Sequence, residues 1–265
     1  MAPRNRRKPS AGEGPEPVLR ELERLALELD LTALPEALPR LLDQAEQEAW
    51  SYTDFARTLL DVEWRARQER KLTRLLKRSH LDKVEGIDGF NFAARPQLQP
   101  CIVKELITCR FVEENRNVLC LGAPGLGKTR IGKTLAHAAC LRGYSVLFTG
   151  TAAMLEDLHS SLADDTFRRA FRRYVKPNVL LLDDFGYEPI QGPHATYLFR
   201  VVSARHGHGS IILTASTGFS KWSRFFPSEA QAVATVDRLL DRATVLRFTG
   251  KSFRKPDTVT GAPLD

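Results

Sequence analysis

From Val18 to about Asp82, apolar residues return every three or four positions. Leu19, Leu22, Leu25 and Leu29 form one stripe and Leu38, Leu41, Leu42 and Ala45 a second, with Pro35 and Pro39 marking a break between them. A third run begins at Thr53, a hydroxyl suited to a helix N-cap, and continues through Phe55, Leu59, Leu60 and Val62 to Leu75 and Leu76. The spacing predicts a small all-helical unit over 18–82. Residues 83–100 (KVEGIDGFNFAARPQLQP) scatter Gly86, Gly89, Pro96 and Pro100 among aromatics and read as a linker. Phe90 and Phe92 are expected to pack down on the second domain, a platform for adenine being their other use. From Cys101 the pattern alternates: helix 101–113, strand 117–121, helix 128–142, strand 145–149, helices 151–161 and 164–175, strand 179–183, helix 194–206, strand 210–214. Such alternation predicts an α/β domain over 101–255, a parallel sheet with helices on both faces. Val233, Val236 and Leu240 place one more helix around Asp237–Arg242. Residues 1–17 lack apolar periodicity and read as a disordered basic arm, and 256–265 as a flexible tail. No internal repeat breaks this order.

Composition narrows the class. A chain of 265 residues with 43% hydrophobic and 27% charged positions suits one sizeable domain plus a smaller attachment. The formal net charge of +7 favours a polyanionic partner, nucleic acid first. Cys101, Cys109, Cys120 and Cys140 show no metal-ligand spacing and read as reduced, mostly buried thiols. No run approaches the roughly 20 apolar residues of a membrane span, and no apolar segment backs the basic start as a secretory signal would require. A cytoplasmic location is the expectation.

The chemistry centres on LGAPGLGKTR, residues 121–130. Gly122, Gly127, Lys128 and Thr129 fit the phosphate-binding pattern G-x-x-x-x-G-K-[ST], with a buried strand before it and a helix after it. Glycines let successive N–H groups turn toward phosphate oxygens, and the helix N-terminus adds partial positive charge. The nucleotide contacts expected are therefore Gly122, Ala123, Pro124, Gly125, Leu126, Gly127, Lys128, Thr129 and Arg130, with ATP as the ligand. Thr129 and Asp183 are the expected holders of Mg²⁺. Asp183 and Asp184 follow four apolar residues, Val179 to Leu182, and so reach the C-terminal end of a buried strand. Asp184 is placed to polarise water. Arg238 suits an arginine finger directed at a neighbouring subunit's nucleotide, although surface ion pairing explains its spacing equally well.

Two helices carry dense positive charge. The third helical run bears Arg65, Arg67, Arg70, Lys71, Arg74, Lys77 and Arg78 beside Glu69, a ridge able to follow a DNA backbone. In DDTFRRAFRRYVK, Phe167, Ala170, Phe171 and Tyr174 make an inward stripe, while Arg168, Arg169, Arg172, Arg173 and Lys176 face outward. Solvated faces are the plain alternative for both.

Taken together, FARTLLDVEWRARQERKLTRLLKRS, RFVEENRNVLCLGAPGLGKT, ACLRGYSVLF, LLLDDFGYEPI, IILTASTGFSKW and DRLLDRATVLRFTGKSFR resemble the IstB-like ATPases, helpers of insertion-sequence transposition that are similar to DnaC helicase loaders of the AAA+ superfamily. The resemblance runs from about Leu19 to Arg254. It implies an AAA+ P-loop module behind a helical N-terminal domain. It further implies assembly as a homo-oligomer on duplex DNA with ATP bound, and recruitment or stimulation of a transposase. Walker A falls on Gly122–Thr129, Walker B on Asp183 and Asp184, the finger on Arg238, and a family arginine on Arg254. Three positions depart from the pattern: Asp184 replaces the usual Glu, Ser216 replaces the sensor asparagine, and residues 81–92 drift. Ser216 is a shorter hydrogen-bonding group and Asp184 is one methylene shorter, so slow hydrolysis is expected. A loader of single-stranded DNA and a non-hydrolysing, ATP-switched adaptor are the other functions these residues admit.

Overall fold

The computed structural model describes residues 15–82, 84–186, 190 and 192–253. Most of the expected N-terminal arm, Arg254 and the 256–265 tail lie outside the described residues. The chain forms two compact units, with the division between Lys71 and Leu72.

The first unit contains α1 (Pro15–Glu28), α2 (Leu34–Gln47) and the larger part of α3 (Tyr52–Ser79). Leu34, Leu38 and Leu41 give α2 its buried face at helical spacing. Ala26 of α1 is buried, whereas Leu22, Leu25 and Leu29 remain exposed, so the predicted stripe of α1 is not the packed one. Pro39 does not break the chain as expected but lies inside α2. Pro35 occupies the first turn, where a missing N–H costs nothing. The break falls earlier, where Asp30 adopts φ 57°. Glu63, buried on α3, supplies the polar anchor of this unit. Its carboxylate accepts from the Ala33 N–H at the start of α2 at 2.9 Å, from Arg67 Nε at 2.9 Å and from Arg70 Nη2 at 2.8 Å. Burial alone would raise its pKa, but these donors together hold it below the ordinary carboxylate value.

In the second unit the expected 101–113 helix is two, α4 (Pro100–Ile107) and α5 (Arg110–Glu113), because Cys109 between them turns to φ 63°. There follow β1 (Val118–Gly122), α6 (Lys128–Leu141), β2 (Val146–Gly150), α7 (Thr151–Ser160), α8 (Phe167–Val175), β3 (Val179–Phe185), α9 (Pro193–Arg205) and β4 (Ser210–Ala215). A 3-10 turn over Phe219–Phe225, α10 (Glu229–Leu240) and β5 (Thr244–Phe248) complete the described elements. The strands pair in parallel in the order β2-β3-β4-β1-β5. Alternation along each strand sends side chains to two cores. Leu119, Leu121, Leu180, Leu182 and Leu213 join α7, α9 and α10 residues on one face, and Val118, Cys120, Val179, Leu181 and Ile212 join α4 and α6 residues on the other. Edge strand β5, with Leu246 and Phe248 inward and Arg247 outward, was not expected from the sequence. At the N-terminal ends of β3 and β4, fully buried Arg205 donates to the carbonyls of Tyr174, Val175, Pro177, Asn178 and Ser210.

Candidate nucleotide site

Gly122 ends β1, and Gly127, at φ 92°, opens α6, so the loop between them turns at the C-terminal edge of the sheet. A Cβ on Gly127 would come within 2.7 Å of the Phe90 ring, which makes glycine necessary there on two counts. Lys128 Nζ donates to the Ala123 carbonyl at 2.9 Å, folding the ammonium over the mouth of its own loop. Thr129 Oγ1 donates to Asp183 Oδ1 at 2.9 Å, and Thr214 Oγ1 donates to the same oxygen at 2.5 Å. The loop and the acidic strand end are thus joined by direct hydrogen bonds. A hydroxyl and a carboxylate this close form a hard oxygen donor pair, a chemistry that fits Mg²⁺. Cys120 lies beneath them, and burial pushes its thiol up to about 12, so it remains a neutral packing group.

Two adjacent carboxylates would ordinarily point to opposite faces of a strand. Here β3 carries one extra residue between the pairs Leu182↔Leu213 and Phe185↔Ala215, and Asp184 takes φ 52° within that bulge. The Asp184 N–H, freed from the ladder, donates to Thr214 Oγ1 at 3.1 Å. Thr151 at the start of α7 donates to the Asp183 carbonyl at 2.9 Å. Thr214 therefore touches both acidic residues, a role that sequence reasoning missed and that its place in TASTG had hinted at.

A cavity of about 530 Å³ is lined by Gly89, Phe90, Asn91, Pro124, Gly125, Gly127, Lys128, Thr129, Arg130, Asp184, Ser216 and Phe253. It brings together most of the predicted loop with Asp184 and Ser216, and adds Phe90, for which the sequence left an adenine platform open, and Phe253, which the sequence did not mark. Phe90 is both a buried packing group and a cavity wall. Phe253 is fastened to the loop by its N–H on the Gly125 carbonyl at 2.9 Å, and its ring lies 4.0 Å from the guanidinium of buried Arg95. Arg95 in turn donates to the Leu126 carbonyl at 3.0 Å. Arg130 pairs with Glu85 at 3.0 Å and donates to the Gly86 carbonyl at 3.0 Å, so residues 85–95, which the sequence offers as a linker, brace the loop. A second cavity of about 470 Å³ is bounded by Thr151, Glu156, Asp183, Asp184, Ile190 and His194, among others.

Arg238 is not among the residues lining either cavity. It stands in the last turn of α10 with its guanidinium 4.6 Å from the Phe199 ring of α9. Of the α3 cations, Arg65 pairs with Asp61 at 2.8 Å, and Arg67 and Arg70 pair with Glu63. Lys71, Arg74, Lys77 and Arg78 are exposed. On α8, Arg168, Arg169 and Arg172 are exposed, while Arg173 turns to Asp157 at 2.7 Å. No described helix is long and apolar enough to cross a membrane.

Comparison with known proteins gives a consistent picture. Residues 24–260 match the family model described as IstB-like ATP binding protein. A Pseudomonas aeruginosa chain named as an ATP-binding protein of insertion sequence IS21 is 33% identical over 236 residues, covering 89% of both chains. One from Geobacillus stearothermophilus, named likewise for IS5376, is 32% identical over 226 residues, 85% of this chain and 90% of that one. Among solved structures, AMPPCP-bound DnaA from Aquifex aeolicus superposes with a TM-score of 0.54 at 18% identity, over 64% of this chain and 51% of that chain. The fold of the second unit is that of the AAA+ P-loop proteins.

Proposed function

Because this chain belongs to the family of IstB-like ATP-binding proteins, whose relatives carry the names of insertion sequences, we propose that it is an ATP-dependent DNA-binding helper of transposition. In this reading it assembles as a homo-oligomer on duplex DNA and recruits or stimulates a transposase, with hydrolysis of ATP to ADP and phosphate resetting the assembly. The supporting observation is the bonded cluster Thr129–Asp183–Thr214, which joins the acidic end of β3 to a loop residue, Thr129, that lines the same cavity as Lys128 and Asp184. Gly125–Thr129 would cradle the triphosphate, and Lys128, now on the Ala123 carbonyl, would turn to the outer phosphates. Mg²⁺, when bound, neutralises charge on those phosphates, with Thr129 and Asp183 as its protein ligands. Asp184 orients the attacking water, and Ser216 lines the same cavity. Arg238, which does not line the cavity of its own chain, serves a neighbouring subunit's nucleotide, so turnover requires assembly. Exposed Lys71, Arg74, Lys77 and Arg78 of α3 and Arg168, Arg169 and Arg172 of α8 contact DNA phosphates.

The test is ATP turnover with and without duplex DNA, in the wild type and in Arg238→Ala. DNA stimulation in the wild type, and loss of turnover with nucleotide binding retained in the variant, are expected. Turnover indifferent to DNA and to Arg238 would overturn the reading. Stronger stimulation by single strands would favour a helicase loader.

A further inference from the structure

The ion pairs of the basic helices single out one arginine that the sequence did not mark. Arg65, Arg67, Arg70 and Arg173 each meet a carboxylate. Arg200 of α9 is exposed, and among the described residues no carboxylate pairs with it. Its guanidinium instead lies 4.8 Å from the Phe167 ring and 5.4 Å from the Phe171 ring of α8. Those two rings are themselves stacked, 5.8 Å apart at 20°, and Tyr197 of α9 supports Phe167 at 5.7 Å. The next residues along α8 from each ring, Arg168 and Arg172, are exposed cations.

This arrangement has a specific physical meaning. An arginine free in solvent loses rotamer entropy when it is fixed on a ligand. Two aromatic rings hold this one before any ligand arrives, and the guanidinium's N–H groups suit a planar or multidentate acceptor. A cation that meets no carboxylate among the described residues, already ordered and flanked by exposed cations, is suited to the phosphate backbone of a nucleic acid.

We propose that Arg200 is a phosphate contact for duplex DNA, and that the DNA-binding face of this unit is built by α8 and α9 together, with Phe167 and Phe171 as the seat that orients the guanidinium. The proposal rests on the DNA-binding reading above and names a residue and a second helix for it. Arg200 contributes one neutralised phosphate, and the aromatic seat contributes affinity through order instead of charge.

The experiment is a fluorescence-anisotropy titration of a labelled duplex by the full chain with ATP over a series of KCl concentrations, for wild type, Arg200→Ala, Arg200→Lys and Arg142→Ala. Arg142 is an exposed arginine just beyond the end of α6 and serves as a net-charge control. Removing one phosphate contact makes the slope of log K against log[KCl] shallower by about 0.9. Arg200→Ala should show that change, Arg200→Lys should keep the wild-type slope at weaker affinity, and Arg142→Ala should match the wild type. Circular-dichroism melting should be the same for all four. A wild-type slope in Arg200→Ala, or an equal change in Arg142→Ala, would overturn the assignment of Arg200 while leaving DNA binding intact. Absence of duplex binding by the wild type would overturn both.

Discussion

Replacing Thr214 by Val keeps the shape of the side chain and removes only its hydroxyl. That hydroxyl makes two contacts in a position with no solvent exposure: it donates to Asp183 Oδ1 at 2.5 Å and accepts the Asp184 N–H at 3.1 Å. A hydrogen bond to a charged group contributes about 1.5–3 kcal/mol, and leaving a buried N–H without a partner costs about 1–3 kcal/mol. The added methyl recovers about 0.8 kcal/mol by burial. The net expectation is a loss of about 2–5 kcal/mol, which for a unit of this size lowers the melting temperature by roughly 10 °C. Asp183 keeps its bond from Thr129 but loses its second restraint, so turnover should fall by about tenfold, equivalent to 1.4 kcal/mol in the barrier. Thr214→Ser keeps the hydroxyl and should restore most of the turnover. Scanning calorimetry without nucleotide reads the first effect and steady-state ATP hydrolysis the second. A melting temperature within about 2 °C of the wild type, with unaltered turnover in Thr214→Val, would refute the bridging role.

Arg205→Met should destabilise the second unit by about 3–5 kcal/mol in urea denaturation, because five carbonyls lose their donor; Arg205→Lys should recover only part, having three N–H groups for those acceptors. Glu63 has a folded pKa below its ordinary 4.5, so its contribution is present above that value and fades as pH falls through the lower folded value. Unfolding of the first unit, followed by far-ultraviolet circular dichroism, should therefore show an acid-sensitive step that Glu63→Gln abolishes. Asp184→Glu should raise turnover by about tenfold if the shorter side chain on the bulge limits water activation, and an unchanged rate would show that its length is not limiting.

Much of this architecture was legible in the chain because burial imposes a period. The strands 117–121, 179–183 and 210–214 lie within a residue or two of β1, β3 and β4, since runs such as Val179–Leu182 can only be satisfied inside a covered sheet. The loop between β1 and α6 was legible because its spaced glycines permit the positive φ that Gly125 and Gly127 adopt. What escaped was tertiary. The alternation in Thr244–Phe248 is too short to signal an edge strand, and Pro39 sits within a helix that its neighbours hold in place. The bulge that re-aims Asp184 and the hydroxyl of Thr214 that secures it arise from the register of β3 against β4, which no local pattern encodes. Likewise Glu63, two residues ahead of the run of seven cations in the sequence, neutralises two of them only because it is buried where it meets the start of α2.

Central to the proposed function is ATP binding through the loop that Lys128 closes. Titration calorimetry with ATP and Mg²⁺ tests this most directly. Saturable, magnesium-dependent binding by the wild type that Lys128→Ala abolishes is the result predicted. Binding of equal strength in Lys128→Ala, or none in the wild type, would contradict it.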